Sequence, residues 1–479
     1  MTRKVRDIFF WACVVVFALV GPPLVLYARG YRFDIARKKF VATGGLFIKS
    51  DPAGASIYIN GAKRGETSGA LRDAIAKPGL ITNLLPKEYD IRVEKKGYIP
   101  WVKKLAIAPR QVTEARFILL FVDHNKPLTP SENPVASGAR ITQDGKEIIG
   151  VFEQNATTSI AAVNAQGARR TLYAARHRTA QKQKPVFTLR DVSPTSRFVL
   201  VHERQGTQER LLVLDREKRE NTPRIFKLPE SVRQSVFFGN DSVLFLTGNN
   251  ELHAWTLESN LATSVRKNVW GVTVQGDKAY VIAGTPPLAY IYTAAKPPQQ
   301  HAQIMPVPLA THPDAVIMQI GALNHGRLAM LLIPKKEQEG PVLFMESDGT
   351  VKTLHENVRS MHVSQDGKKL LMRTWNELWA YYLEDVLTQP AHHKGDIMLI
   401  ARFGNTLYDA RWHPLNSEYV IYTTSEGLFV TELDNRGSGR ATLDLVRNGS
   451  IELIGATREG AWFTAQQYLA FLPWEPKQK

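Results

Sequence analysis

The chain has 479 residues, 44% hydrophobic and 22% charged, with one Cys and with 61 Lys and Arg against 45 Asp and Glu. This composition excludes a disordered tail and suits about three domains, and a single thiol excludes a disulfide framework or a multi-cysteine metal site. The net charge of +16 would suit nucleic acid or an anionic surface, but 21 basic and only 9 acidic residues fall in positions 1–121, so about +12 of it sits there.

Residues 1–7 form a short basic head, and residues 8–28 (IFFWACVVVFALVGPPLVLYA) carry no charge. At about 1.5 Å per residue the run matches a bilayer core and predicts a transmembrane helix, with Trp11 and Tyr27 toward its interfaces. Pro22 and Pro23 each remove a backbone donor and predict a kink. They also keep open a cleaved signal peptide with Ile8 to Val20 as its apolar core. Leu26 occupies the third residue upstream of the best cleavage point, after Ala28, where a small residue is wanted, which favours an uncleaved signal anchor. Residues 29–44 are expected as a basic juxtamembrane linker. Its Arg29, Arg32, Arg37, Lys38 and Lys39, counted alone, favour a cytoplasmic C-terminal region. A short head followed by one apolar segment is instead the layout of an export anchor, so the expectation is a single-pass cell-membrane protein with its large C-terminal region outside the cytoplasm.

From residue 45 to 121 the pattern changes to period two. Ser56 to Asn60, Tyr89 to Lys95, Trp101 to Ile107 and Val112 to Leu120 alternate apolar and polar residues, and Asn60-Gly61 is a tight-hairpin dipeptide. About six short strands predict a small sandwich or barrel-like β domain. Lys63, Arg64, Lys95, Lys96, Lys103 and Lys104 are expected on its solvated outer faces, where they could meet anionic lipid headgroups or envelope polymers.

Pro52, Gly54, Ala55, Asn60, Gly61, Gly65, Pro86, Tyr89, Gly97, Tyr98 and Trp101 stand in an order and spacing that resembles the PEGA domain. Ala53 replaces the Glu of the motif, Lys87-Glu88 stands where a Gly is usual, and Gly69 to Thr82 is longer than the usual connection. The resemblance implies an extracytoplasmic, surface-associated binding or spacer module without catalysis. Independently, Pro52, Gly54, Gly61 and Gly97 suit turns, and Tyr98 and Trp101 suit a small core.

Residues 122–138 read as a linker with three Pro. Across 139–475 a unit of strand, polar turn and apolar strand recurs about eight times, usually with a third and fourth strand. The units begin near Ala139, Arg190, Gln234, Trp270, Ile317, Ser360, Tyr408 and Ile451. This spacing predicts a seven- or eight-bladed β-propeller, making the chain all-β apart from its anchor. The last unit lacks a fourth strand, and the segment before Ala139 is expected to complete it in a closed ring, because the alternative of two stacked sheets or a stack of repeats would leave open edges that invite aggregation. The rhythm resembles TolB-like and tryptophan-aspartate-repeat propellers, with Val192-Ser193-Pro194 and Arg197-Phe198 as the nearest echo. Trp255, Trp379 and Trp412 are expected to pack between blades.

No nucleophile elbow, phosphate loop, dinucleotide fingerprint or zinc-protease motif occurs, so no catalytic, cofactor-binding or metal residue is assigned. His392-His393 lies in a polar loop, and Asp144, Asp348 and Asp366 precede Gly as turn residues. With its charge beside the anchor, the chain is not expected to bind nucleic acid. The expectation is a non-catalytic cell-envelope surface protein, anchored in the membrane, whose propeller binds a protein, peptide or glycan. The alternative is an envelope hydrolase or oxidoreductase with a site assembled from separate blades.

Overall fold

The computed structural model describes residues 3–35, 37–67, 79–123, 134–135, 137–154, 156–176, 184–218, 222–228, 230–285, 287–293, 299–306, 315–334, 336–447 and 451–474. The chain divides into two compact units. The first comprises Met1–Asp123, Val386–His392 and Thr431–Thr442, and the second comprises His124–Asp385, His393–Val430 and Leu443–Lys479.

The first unit begins with helix α1 (Arg3–Ala28), which runs unbroken through Pro22 and Pro23. Within it Phe9–Ala28 has a mean hydropathy of 2.4 and is long and apolar enough to cross a membrane. Where a linker was expected, β1 (Tyr31–Asp34) and β2 (Lys39–Ala42) pair as an antiparallel hairpin. The physical reason is in the register: Phe33 faces Phe40 across the strands and Asp34 faces Lys39.

The β domain contains β3 (Gly44–Asp51), β4 (Ser56–Ile59), β5 (Ala62–Glu66), β6 (Leu80–Leu84), β7 (Glu88–Glu94), β8 (Trp101–Ala106) and β9 (Val112–Leu119). They form two sheets, β6-β3-β9 with β3 and β9 parallel, and β5-β4-β7-β8. Leu46, Ile48, Ile57, Ile91, Val93 and Leu105 belong to their shared core. This is the expected sandwich, with seven strands where about six were read.

One expected surface residue is buried. On β8 the alternation puts Trp101, Lys103 and Leu105 inward and Val102 and Lys104 outward. The Lys103 ammonium, 1% exposed, lies 2.5 Å from a Glu432 carboxylate oxygen and 2.5 Å from the Asp434 carbonyl. Glu432 also accepts from the Trp101 indole at 3.0 Å and from the Ala441 amide at 2.9 Å. The Lys103 stem thus packs in the core while its head is neutralised by carboxylates from Thr431–Thr442. The third segment is stitched in as well: the Gln389 side chain receives the Glu114 amide at 3.0 Å and donates to the Val112 carbonyl at 3.1 Å.

The second unit is a β-propeller, and among the described residues it has eight successive antiparallel sheets, here numbered one to eight in chain order. They start at Ser137, Val186, Val232, Val269, Ala315, Ser360, Leu407 and Ile451. Sheets one to seven have four strands and sheet eight has three. Central strands such as Ser242–Thr247 and Gly340–Met345 are buried along their whole length, because neighbouring sheets cover both faces. The ring closes as the sequence led us to expect: the Val135 amide donates to the Gln467 carbonyl at 2.8 Å, and Pro134 bridges Tyr468. Val135, Ala139, Ile148, Trp462 and Leu469 share one apolar cluster, joining sheets one and eight. Trp255 is buried in the cluster between sheets two and three, and Trp379 is partly buried against sheets five and six.

Candidate functional site

The first strand of each sheet is the innermost one, and these strands neighbour one another around the ring. In sheets one to five, seven and eight this strand is bulged, for example between Leu189 and Asp191, Val232 and Gln234, and Ile317 and Gln319. A bulge re-aims the side chain that follows it. In sheets two, three and five that side chain crosses to the next sheet. Asp191 accepts from the Phe237 amide at 2.8 Å, and Gln319 accepts from the Met361 amide at 2.8 Å. Gln234 donates to the Val272 carbonyl at 2.5 Å. In the other direction, and away from any bulge, the Trp412 indole of sheet seven donates to the His362 carbonyl of sheet six at 2.8 Å. Burial pushes the Asp191 carboxyl up, and the two backbone amides it accepts from partly offset this.

Two cavities share the wall formed by His362 and Val363. One, of about 370 Å³, is lined by Gln234, Thr273, Gln319 and Met361 among others. The second, of about 1040 Å³, is walled by sheets one, six, seven and eight, with Arg140, Gln365, Arg411, Arg458 and Glu459 in its lining.

His362 sits at the junction. Arg411, which can only donate, lies 3.1 Å from its Nδ1 and holds that nitrogen as the acceptor, so the proton belongs on Nε2. Burial, then the charges of Arg411 and Arg373, hold this imidazole well below its ordinary range and therefore neutral. Its Nε2 is buried without a hydrogen-bond partner among the described residues. Arg411 also donates to Asp409 at 3.1 Å. The lining therefore offers guanidinium and amide donors beside carboxylates, a mixture suited to a ligand that carries both donors and acceptors.

The PEGA-like residues lie in the first unit. Pro52 and Gly54 (φ +76°) turn the chain between β3 and β4, and the buried Ala55 donates its amide to Thr67 Oγ1 at 2.9 Å and accepts the Thr67 amide at its carbonyl at 2.8 Å. Asn60 and Gly61, with φ of 48° and 81°, close the β4–β5 hairpin, and Asn60 accepts from the Asp90 amide at 3.0 Å. Gly65 lies on β5, and Pro86 precedes β7. The Tyr89 hydroxyl donates to the Leu85 carbonyl at 3.0 Å. Gly97 (φ +85°) turns the chain so that Tyr98 packs partly, and Trp101 fully, against the core. These residues build turns and core.

His393 is 85% exposed beside Asp385, and among the described residues no three His, Cys, Asp or Glu gather as a metal site. Inter-sheet crossings such as that of Gln319 went unread in the sequence, because a lone Gln between apolar residues carries no signal of its partner.

No curated protein matches the chain. Among solved structures, the C-terminal WD40 domain of Sif2 aligns at 11% identity with a TM-score of 0.48, over 74% of this chain and 100% of that one. Kluyveromyces lactis Hsv2 aligns at 11% and 0.43 over 66% and 99%, and the Myceliophteria thermophila Cps50 (Swd1) β-propeller domain at 11% and 0.40 over 72% and 98%. Residues 43–119 match the PEGA domain family, so the β sandwich beside α1 is a PEGA domain.

Proposed function

We propose that this chain is a single-pass membrane-anchored protein of the cell envelope with a non-catalytic binding or scaffolding role. Its helix α1 is the anchor, the PEGA domain a spacer on the extracytoplasmic side, and the propeller a platform for a peptide or glycan ligand. The observation that carries this reading is the cavity of about 1040 Å³ whose mixed-charge lining is contributed by four separate sheets. A rigid ring presenting donors and acceptors around a central opening is a binding surface before it is anything else.

A photo-crosslinking residue at Gln365, exposed in the cavity lining, should yield a discrete crosslinked product in native membranes, and Arg411→Glu should abolish it. The same residue at Leu261, 65% exposed on an outer strand, should not yield that product. Identical patterns from both positions would overturn the reading.

A further inference from the structure

The hairpin β1–β2 leaves three large apolar side chains in water. Phe33 is 50% exposed, Phe40 42% and Ile35 82%. The two rings pack edge-on at 5.3 Å, so they form one patch. Around it Arg29, Arg37, Lys38 and Lys39 are exposed, and the single carboxylate of the hairpin, Asp34, is engaged by Arg37 at 3.7 Å. An isolated two-stranded hairpin is marginal in water, and this one spends its largest side chains outward.

The position of the hairpin says what covers it. Helix α1 ends at Ala28 and β1 starts at Tyr31. Arg32 folds back onto the helix end, its guanidinium 3.3 Å from the Tyr27 ring centroid and donating to the Tyr27 carbonyl at 2.9 Å. A bilayer crossed by α1 therefore has its interface at the hairpin. Aromatic and aliphatic groups flanked by cations are the chemistry of the headgroup boundary, where rings settle among acyl chains and ammonium and guanidinium groups meet phosphates.

We propose that β1–β2 is an interfacial wedge: Phe33, Ile35 and Phe40 enter the bilayer boundary, and Arg29, Arg37, Lys38 and Lys39 select anionic phospholipid headgroups. This assignment rests on α1 spanning the membrane. It also moves the lipid contact away from the outer faces of the PEGA domain, where Lys103 is buried and Lys63 is held by Glu66 at 3.0 Å.

The test uses the full chain with Cys13→Ser, which removes its one thiol, and with Ile35→Cys carrying an environment-sensitive fluorophore. The protein is reconstituted into vesicles of phosphatidylcholine alone or with a quarter of the lipid as phosphatidylglycerol. The expected result is a blue-shifted probe, quenched from the lipid phase, more strongly with phosphatidylglycerol present. Lys38→Glu with Lys39→Glu should remove that preference, each lost cation weakening it roughly fivefold. Phe33→Ser with Phe40→Ser should return the probe to water in both vesicles. A chain that floats with the vesicles while its Ile35→Cys probe stays aqueous overturns the wedge alone, and equal quenching in both lipids overturns the headgroup selection. A chain that does not float overturns the anchor and the wedge together.

Discussion

Replacing Lys103 by Met keeps the length of the stem in the PEGA core and deletes only the charge. Glu432, whose side chain is 6% exposed, would then keep only the Trp101 indole and the Ala441 amide as donors. Burial already pushes the Glu432 carboxyl up, and Lys103 is the main group drawing it back. Removing one partner of a buried pair costs about 3–5 kcal/mol, which predicts amide exchange from β7 and β8 faster by roughly two to three orders of magnitude or more. The penalty should shrink as the pH falls, because a protonated Glu432 needs no cation. Hydrogen exchange read by mass spectrometry suits a two-unit chain better than a single melting curve. Peptides from Gly340–Met345 in the second unit serve as the control. Lys103→Met with Glu432→Gln, which removes both charges, should recover most of the protection. Exchange in β8 within about threefold of the parent protein, or a double variant as exposed as the single one, would refute the reasoning.

The buried His413 is held down to about 3 by burial, so it stays neutral in the fold. An unfolded chain takes up that proton below about pH 6.5, so the propeller should lose roughly 2 kcal/mol from this residue alone between that pH and pH 5. His413→Gln should flatten this acid limb in pH-dependent denaturation, and an unchanged limb would count against it. Asp191→Ala strands the Phe237 amide and should destabilise sheets two and three by about 1–3 kcal/mol, whereas Asp191→Asn keeps an acceptor there and should cost less. Equal losses for the two variants in urea denaturation would show that the Asp191 crossing is not what the site needs.

The propeller was legible because its signals are local. Each strand pair has an alternating or apolar run and a turn that names itself. Asp144, Asp348 and Asp366 accept the amides of Lys146, Thr350 and Lys368, and the Gly after each has positive φ. The PEGA turns were legible for the same reason. The hairpin after α1 was missed because its strands have four residues each and its charges resemble a membrane flank. Lys103 was misplaced although the strand period itself put it inward with Trp101 and Leu105. A Lys at an inward position becomes intelligible only beside its carboxylate, and that carboxylate lies 329 residues along the chain. The cavity lining was hidden likewise: bulges such as the one before Gln319 depend on the neighbouring strand, which no single stretch of sequence reveals.

The separation between Lys103 and Glu432 also imposes an order on synthesis. At about 5–20 residues per second, β8 leaves the ribosome some tens of seconds before Thr431–Thr442 exists. Throughout that interval the PEGA domain holds an inward-facing ammonium without its carboxylates, while one sheet of the propeller after another is completed. The PEGA domain, made before the propeller, is thus among the last parts to be finished, and a chain interrupted anywhere before Glu432 leaves Lys103 without that carboxylate.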